Sequence, residues 1–543
     1  MPVLERLLRV GRIADSLGVY LPSMLLQRGM GLLRNLLFMH LIPPVQFNLW
    51  FAGSMIFDLG SQVIALGANH GLTRYVSLHE AQGQLHAFYR RMRLTVLISC
   101  LLAAATAMGM LDLITQFTLL PKGAAASDYP YERWVCLAAL VNALLLALYL
   151  NMLGFMYGLR TYRLIAAAET FCGVLFLLLG VAALVVHPSG LAILAAHAIS
   201  VAAAVVAGTM LLNAAVRRLG PSASQAALQA RRQGEVVLDP VSVEDEPEVA
   251  VAPASSGHER TVRRDGTLWQ LYRFGLIILA GNLLWRVLTY VSYQITDRHY
   301  SADVSAIFGG LLRFTQSIEF LATAVFMVVF THVVRRWQED RRDVAMSILQ
   351  VSYKMVGLAV GTVAIIAYVS APFWVRILPP AYQRDSTVLV GGQLLFYFSA
   401  ANLSLLNMIS RLHERPLVPM LMAGVAGAIN LLLGQYWVIA AADPTQGALR
   451  AAWAMGVAMF GGGMLVALPY LLVSRCRLEL STYIILLSPA VLLLGPLTAG
   501  PVWIALLLVV IFTGWVLDDR QKRLILQYLR EAVRSLRRRP AWR

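Results

Sequence analysis

The sequence predicts an all-α polytopic membrane protein with about fourteen transmembrane helices. Hydrophobic residues make up 58% of the 543 residues, charged residues only 14%, and the mean hydropathy is +0.66. Soluble domains carry about 25% charged residues. About fourteen apolar stretches are long enough to span a bilayer. They lie near 15–42, 47–71, 94–118, 133–158, 164–186, 188–216, 268–296, 303–334, 346–375, 386–410, 416–441, 448–474, 480–498 and 501–517.

The order of these stretches predicts two six-helix lobes related by pseudo-two-fold symmetry, with two extra C-terminal helices. The predicted divisions are an N-lobe over 1–216, a cytoplasmic linker over 217–267, a C-lobe over 268–475, two additional helices over 476–517 and a basic tail over 518–543. The linker has no aromatic residue and mixed charge, so we predict that it is disordered. The tail places apolar residues at helical spacing among arginines, which predicts an amphipathic helix lying on the membrane surface.

Basic residues indicate the orientation. With the N-terminus inside, alternate loops and both termini hold 33 of the 45 lysines and arginines, and the opposite loops hold six. This asymmetry predicts cytoplasmic N- and C-termini. Basic loops facing anionic lipids account for the net charge of +16, so nucleic acid is not an expected partner.

A short motif is duplicated between the predicted lobes. The segments 29–34 and 281–286 both follow the pattern G-x-x-L-x-R, and the segments 51–57 and 308–314 both follow F-[AG]-G-x-x-x-F. The two matches occur in the same order, which favours one six-helix unit used twice. Repeats of this kind are common in transporters, which handle cargo at the repeat interface.

Arginines inside the apolar stretches are the main functional signal. A charge at membrane depth costs at least about 2.5 kcal/mol, and such residues usually face a bundle interior or a watery cavity. Guanidinium groups match phosphate oxygens in a bidentate way. We therefore predict a cationic cavity for an anionic cargo, whose candidate binding residues are Arg28, Arg34, Asn35, Asn282, Arg286 and Arg313.

Acidic residues within the stretches leave two interpretations open. Asp58, Glu169 and Glu319 are candidates for coupling to H⁺ or Na⁺, or they form structural pairs with the arginines, for example Asp58 with Arg34 or Arg28. Lys354 is expected either near the cytoplasmic end of its helix or in the cavity. The four cysteines show no metal-ligand spacing, and no catalytic constellation is present, so we expect no metal, no cofactor and no enzyme activity.

Several segments resemble the Wzx-like oligosaccharide-lipid flippases of the multidrug/oligosaccharidyl-lipid/polysaccharide exporter superfamily. The similar segments are 44–47 after the first stretch, 67–75 after the second, 371–382 after the ninth, and 428–433 with 447–452. The sequence departs from the family pattern at Asn48, where a glycine is usual, and at 378–379. The resemblance covers residues 10–475 approximately.

The resemblance implies alternating access, an undecaprenyl-pyrophosphate-linked glycan as cargo, and cavity arginines that contact the pyrophosphate or acidic sugars. It also implies association with other polysaccharide synthesis proteins. Two alternatives remain at this point. One is an ion-coupled drug antiporter of the same fold, which for cationic drugs needs a more acidic cavity. The other is a non-transporting component of a polysaccharide synthesis complex.

Overall fold

The computed structural model describes residues 13–81, 84–120, 130–218, 267–338, 341–383, 386–413, 415, 417–474, 478–518 and 521–522. Within these ranges the regular secondary structure is helical throughout, and the all-α prediction is confirmed. Nearly all of the predicted linker and tail lies outside the described residues, so both stay predictions.

Each of the fourteen predicted apolar stretches contains a helical segment of the described residues. Those of the first lobe are α1 (Ile13–Leu41), α2 (Pro44–Ala65), α3 (Leu85–Gly109), α4 (Pro130–Gly158), α5 (Tyr162–Val186) and α6 (Gly190–Arg218). Those of the second lobe are α7 (Thr267–His299), α8 (Ala302–Gln338), α9 (Arg342–Val369), α10 (Ser386–Leu412), α11 (Leu417–Leu433) and α12 (Pro444–Val457). The last two are α13 (Leu480–Leu487) and α14 (Pro496–Phe512).

Two helices of the second lobe contain π-helical turns. The turn Gly434–Val438 extends α11, and the turn Ala458–Gly462 connects α12 to a further helical segment, Gly463–Val473. The helix α13 continues as the 3₁₀ segment Ser488–Leu494. These turns change the helical period locally, and the chain stays helical through each of them.

The two lobes repeat one packing scheme. In the first lobe α1 packs on α5, α2 on α4, and α4 on α6. In the second lobe α7 packs on α11, α8 on α10, and α10 on α12. Corresponding helices therefore have corresponding partners, as expected if one six-helix unit is used twice.

Short helices follow several spans and correct the predicted boundaries. The second apolar stretch does not run to residue 71, because Leu66 and Gly67 adopt positive φ angles of 49° and 70° and end α2. A separate helix, Ala68–Ala81, follows. The ninth stretch similarly ends at Val369 and is followed by the short helix Ala371–Trp374. The third breaks at Met110 before the helix Leu111–Thr118.

Nine helices in the described part of the chain are long and apolar enough to cross a membrane. Two shorter apolar helices, Leu480–Leu494 and Pro496–Phe512, complete the C-terminal end. The remaining long helices are α1, α2 and α8, which contain Arg34, Asp58 and Arg313.

The lobes meet through α1 and α2 on one side and α7 and α8 on the other. Near the α1–α2 connection, on the predicted outer side, the amide of Asn48 donates to Asp297 at 2.8 Å. The carbonyl oxygen of the same side chain accepts from the hydroxyl of Tyr293 at 2.6 Å. A buried polar contact therefore joins the lobes at this end.

The lobes also touch at the opposite, predicted cytoplasmic end. Side-chain nitrogens of His70 and Asn282 lie 2.8 Å apart. A methyl group at Gly67 would lie 2.2 Å from the carbonyl oxygen of Gly275, so the two backbones are in direct contact. In this state the lobes are joined on both sides of the region that holds the arginines.

The two C-terminal helices pack on the C-lobe rather than standing apart. Lys354 of α9 is fully buried, forms an ion pair with Glu479, and donates to the carbonyl oxygen of Val516 at 3.0 Å. Trp503 of α14 donates to Thr362 at 3.1 Å. Of the two positions predicted for Lys354, the one in the cavity is therefore wrong. The charge of Lys354 holds α13 and α14 against α9.

Candidate functional site

Asp58 of α2 forms the centre of a charged contact between the lobes. One carboxylate oxygen lies 3.6 Å from a guanidinium nitrogen of Arg286 and 3.9 Å from one of Arg313. It also accepts a hydrogen bond of 2.9 Å from the hydroxyl of Tyr290. Asp58 belongs to the first lobe and its three partners to the second, so these interactions bridge the lobes.

Arg313 is held by further contacts that reach across the interface. It donates to the hydroxyl of Ser54 at 2.5 Å and to the side chain of Gln316 at 3.5 Å. Its guanidinium carbon lies 5.0 Å from the centroid of the Phe51 ring, within cation–π distance. The side chain is 17% exposed. Arg313 is therefore fixed mainly by residues of α2.

A second charged group surrounds Arg28. Glu169 of α5 and Glu319 of α8 are both within electrostatic range of Arg28, and Glu319 also interacts with Arg286. Nearby, the amide of Gln27 donates to Ser23 and Thr170, each at 3.4 Å. Glu169 and Glu319, two of the three acids that the sequence offers as ion-coupling candidates, therefore lie beside arginines.

Arg34 has a different environment. No ion pair of the described residues includes it, and its charged neighbours Arg313 and Arg28 are cations. Its Nε is buried without a hydrogen-bond partner, and its guanidinium carbon lies 4.2 Å from the centroid of the Phe176 ring. Arg34 thus retains its charge beside the interface, without a neutralising carboxylate among the described residues.

The structure brings most of the predicted site residues together. Asn35 is buried beside Arg34, and its carbonyl oxygen has no hydrogen-bond partner in the described residues. Asn282 instead contacts His70, one turn from Arg286 along α7. The suggested pairing of Asp58 with Arg34 or Arg28 is wrong, because Arg286 and Arg313 occupy the Asp58 carboxylate.

Aromatic neighbours of the arginines were missed from the sequence. Phe176 lies on α5, and His197 lies on α6 within electrostatic range of Arg34 and Asp58. In a chain with 20 phenylalanines, a ring on an apolar helix gives no signal of its own. The signal that could have found His197 is a lone imidazole in the otherwise apolar α6, although most such residues are satisfied core histidines.

The arrangement suits the binding of an anion. Four arginines face three carboxylates, so the formal charge of the group is positive. Space remains beside it, because a methyl group at Gly31 would meet nothing within 4 Å and the side chain of Arg286 is 32% exposed. A guanidinium without a carboxylate partner has its N–H fork available for phosphate oxygens.

Comparison with solved structures identifies the fold. The chain resembles the lipid II flippase MurJ in an inward closed conformation, with a TM-score of 0.55 and 12% identity over 90% of this chain and 98% of that one. It resembles an inward-facing multidrug resistance MATE family transporter of the MOP superfamily, with a TM-score of 0.53 and 13% identity over 83% and 96% of the two chains.

A third similar structure is a MATE protein in complex with MaD3S, with a TM-score of 0.51 and 14% identity over 87% of this chain and 98% of that one. No family model matches the sequence, and no curated protein matches it either. At these identities the likeness defines the fold alone. The chain is a helical membrane protein with the fold shared by MATE transporters and MurJ.

Proposed function

We propose that this protein is a flippase that moves a lipid-linked oligosaccharide, carried on undecaprenyl pyrophosphate, across the bacterial inner membrane by alternating access. The observation that carries the proposal is Arg34, a half-buried cation between the lobes that has no carboxylate partner among the described residues. A pyrophosphate supplies the charge that this position lacks. Resemblance to a lipid II flippase supports the same class of cargo.

The neighbouring charges support an alternating-access mechanism. Asp58 bridges the lobes to Arg286 and Arg313, and rocking of the lobes must break these contacts. Glu169 and Glu319 remain candidates for coupling to H⁺ or Na⁺, since both are carboxylates at the interface. Anionic lipids and other polysaccharide synthesis proteins are the proposed partners. We also propose that both termini lie in the cytoplasm.

A drug antiporter is the second candidate, because two of the similar structures are MATE proteins. The interior argues against cationic drugs as cargo. Asp58, Glu169 and Glu319 all lie beside arginines, so each of these three carboxylates already has a cationic neighbour that opposes the binding of a cationic drug.

The test is transport by purified protein in proteoliposomes that contain a fluorescent glycan on undecaprenyl pyrophosphate. An impermeant quencher reports how much labelled lipid has crossed. We expect Arg34→Ala to slow transport at least about tenfold and Arg34→Lys to recover part of it, because an ammonium keeps the charge but lacks the bidentate fork. Arg133→Ala is the matched control, since Arg133 pairs with Asp112 where both side chains are more than half exposed.

Unchanged transport by Arg34→Ala would overturn the assignment of the site. Efflux of a cationic dye by the wild-type protein, with no movement of the labelled lipid, would favour the antiporter instead. In cells, deletion of the gene should cause a lipid-linked glycan to accumulate on the cytoplasmic leaflet, and its composition would identify the cargo.

A further inference from the structure

The ring of Phe176 lies against the guanidinium of Arg34. The guanidinium carbon lies 4.2 Å from the ring centroid, closer than the 5.0 Å between Arg313 and Phe51. The negative face of an aromatic ring attracts a cation without neutralising its formal charge. A carboxylate in the same place would hold the arginine but would also occupy its N–H fork.

The ring itself is fixed by other aromatic groups. Phe176 is 5% exposed, and its ring meets those of Phe38 and His197 edge-to-face, with centroids 5.8 and 4.7 Å away. His197 stacks on Phe57 at 4.7 Å. A methyl group at Gly180 would lie 2.5 Å from the Phe38 ring, so this glycine leaves the room that Phe38 occupies.

A hydrogen-bond chain fixes the orientation of His197. Both N–H groups of the Asn142 amide are engaged, one with the carbonyl oxygen of Ala138 at 2.8 Å and the other with that of Leu194 at 3.0 Å. The amide oxygen of Asn142 therefore faces Nδ1 of His197, 2.6 Å away, and Nδ1 carries the proton that it donates. Asn142 of α4 thus fixes His197 of α6, and His197 packs on the ring of Phe176 of α5, which lies against Arg34.

We propose that Phe176 is a positioning residue for the cargo site. Its ring holds Arg34 by one face of the guanidinium, so the N–H groups of the two terminal nitrogens, which have no carboxylate partner among the described residues, can meet phosphate oxygens. This inference rests on the proposed function, because it assigns a role within the same anion site. It also explains how a half-buried arginine keeps a defined orientation without an acidic partner among the described residues.

The test changes the electronic character of the ring while it preserves the ring's shape. Phenylalanine analogues with one, two and three fluorine atoms, incorporated at position 176, weaken the negative face in steps. We expect the concentration of labelled lipid at half-maximal transport to rise with each step, reaching roughly five- to tenfold for the trifluorinated ring. Phe176→Trp should retain transport, because indole binds cations at least as well, and Phe176→Leu should lose it.

The same analogues at Phe155 provide the matched control, because this ring of the first lobe is equally buried and packs on Tyr89 rather than on an arginine. Melting temperatures of all fluorinated variants should match that of the unmodified protein. A flat series at position 176, together with loss of transport in Arg34→Ala, would overturn the role of Phe176 and leave the proposed function intact. Normal transport by Arg34→Ala would overturn both.

Discussion

Arg34 and Arg286 occupy matching positions in the duplicated G-x-x-L-x-R motif but have different neighbours. Arg286 shares the carboxylate of Asp58 with Arg313, whereas Arg34 lies over an aromatic ring. The repeat has therefore diverged at one side chain. In the second lobe the arginine joins the lobes through Asp58, and in the first it has no carboxylate partner among the described residues.

Double-mutant cycles should separate these two roles. Asp58→Ala should destabilise the protein by about 1–3 kcal/mol, less than the roughly 3–5 kcal/mol for a fully buried pair, because the groups are partly exposed. Most of this effect should disappear when Arg286 and Arg313 are first changed to glutamine. The same Asp58 change combined with Arg34→Gln should simply add, because Arg34 does not share its carboxylate. Melting temperatures in detergent provide the measurement.

Asp58→Asn is the conservative control, because an amide still accepts from Tyr290 but carries no charge. A strong energetic coupling between Asp58 and Arg34 would contradict the described pairing. Such coupling would instead support a salt bridge between Asp58 and Arg34, which is one of the pairings that the sequence allows.

The composition of the charged site could be predicted from the sequence, but its pairing could not. A helical wheel places Arg28, Arg34 and Asn35 on one face of α1, and that face does lie at the lobe interface. It does not give the rotation of α1 against α2 or the depth of α8, and these decide which arginine reaches Asp58. The position of the Phe176 ring over Arg34 depends in addition on how α5 packs against α1.

At the scale of helices, the attachment of α13 and α14 depends on one buried charge. We expect Lys354→Ala to lower the melting temperature by several degrees, because it leaves Glu479 without its cation and Val516 without a donor. Glu479→Gln should also lower the melting temperature, because the fully buried ammonium of Lys354 then loses its counter-charge and keeps only an amide acceptor. Thermal unfolding and limited proteolysis of the α13–α14 segment would measure both.

Preferential cleavage within 478–518 in Lys354→Ala would show that the pair holds the C-terminal helices specifically. The double change Lys354→Met with Glu479→Leu should recover stability, because apolar residues of similar size remove the unpaired charge. Failure to recover would mean that the pair has a role beyond attachment.

Helix number followed directly from apolar length, and helix ends did not. A hydrophobic run reports burial in protein or lipid but continues across a kink. The break at Leu66 and Gly67 is an example, because neither a leucine nor a single glycine inside an apolar run marks a helix end. For the same reason the predicted spans 47–71 and 94–118 take in the first residues of the helix Ala68–Ala81 and the whole of the helix Leu111–Thr118.

For the whole molecule, the outer contact between the lobes should have to open during transport. Cysteines at Asn48 and Asp297 are expected to be joined by a short bis-methanethiosulfonate crosslinker, since the terminal polar atoms of the two native side chains lie 2.8 Å apart. The crosslink should stop movement of the labelled lipid, and reduction should restore it. A crosslink between Gln46 and Tyr131 is the control, because both belong to the first lobe and contact each other at 2.9 Å. Equal transport by the crosslinked and reduced Asn48–Asp297 protein would exclude rocking at this end.

The predicted orientation can be tested independently of transport. A cysteine at Ser256, introduced after replacement of the native cysteines, should resist an impermeant thiol reagent in intact cells and react after lysis. The reason is the concentration of basic residues in alternate loops. Rapid labelling in intact cells would place the segment outside and reverse the assignment of both termini.

The close approach of Gly67 and Gly275 has a mechanical consequence. Interlocked side chains must unpack before two surfaces can slide, but bare backbones present a smooth face with little to disengage. We therefore expect the lobes to move past each other at these two glycines without unpacking side chains, at the end opposite the Asn48 contact. A side chain at either position would push the lobes apart at this end and change their relative tilt. Even a methyl group on Gly67 would lie 2.2 Å from the Gly275 carbonyl oxygen.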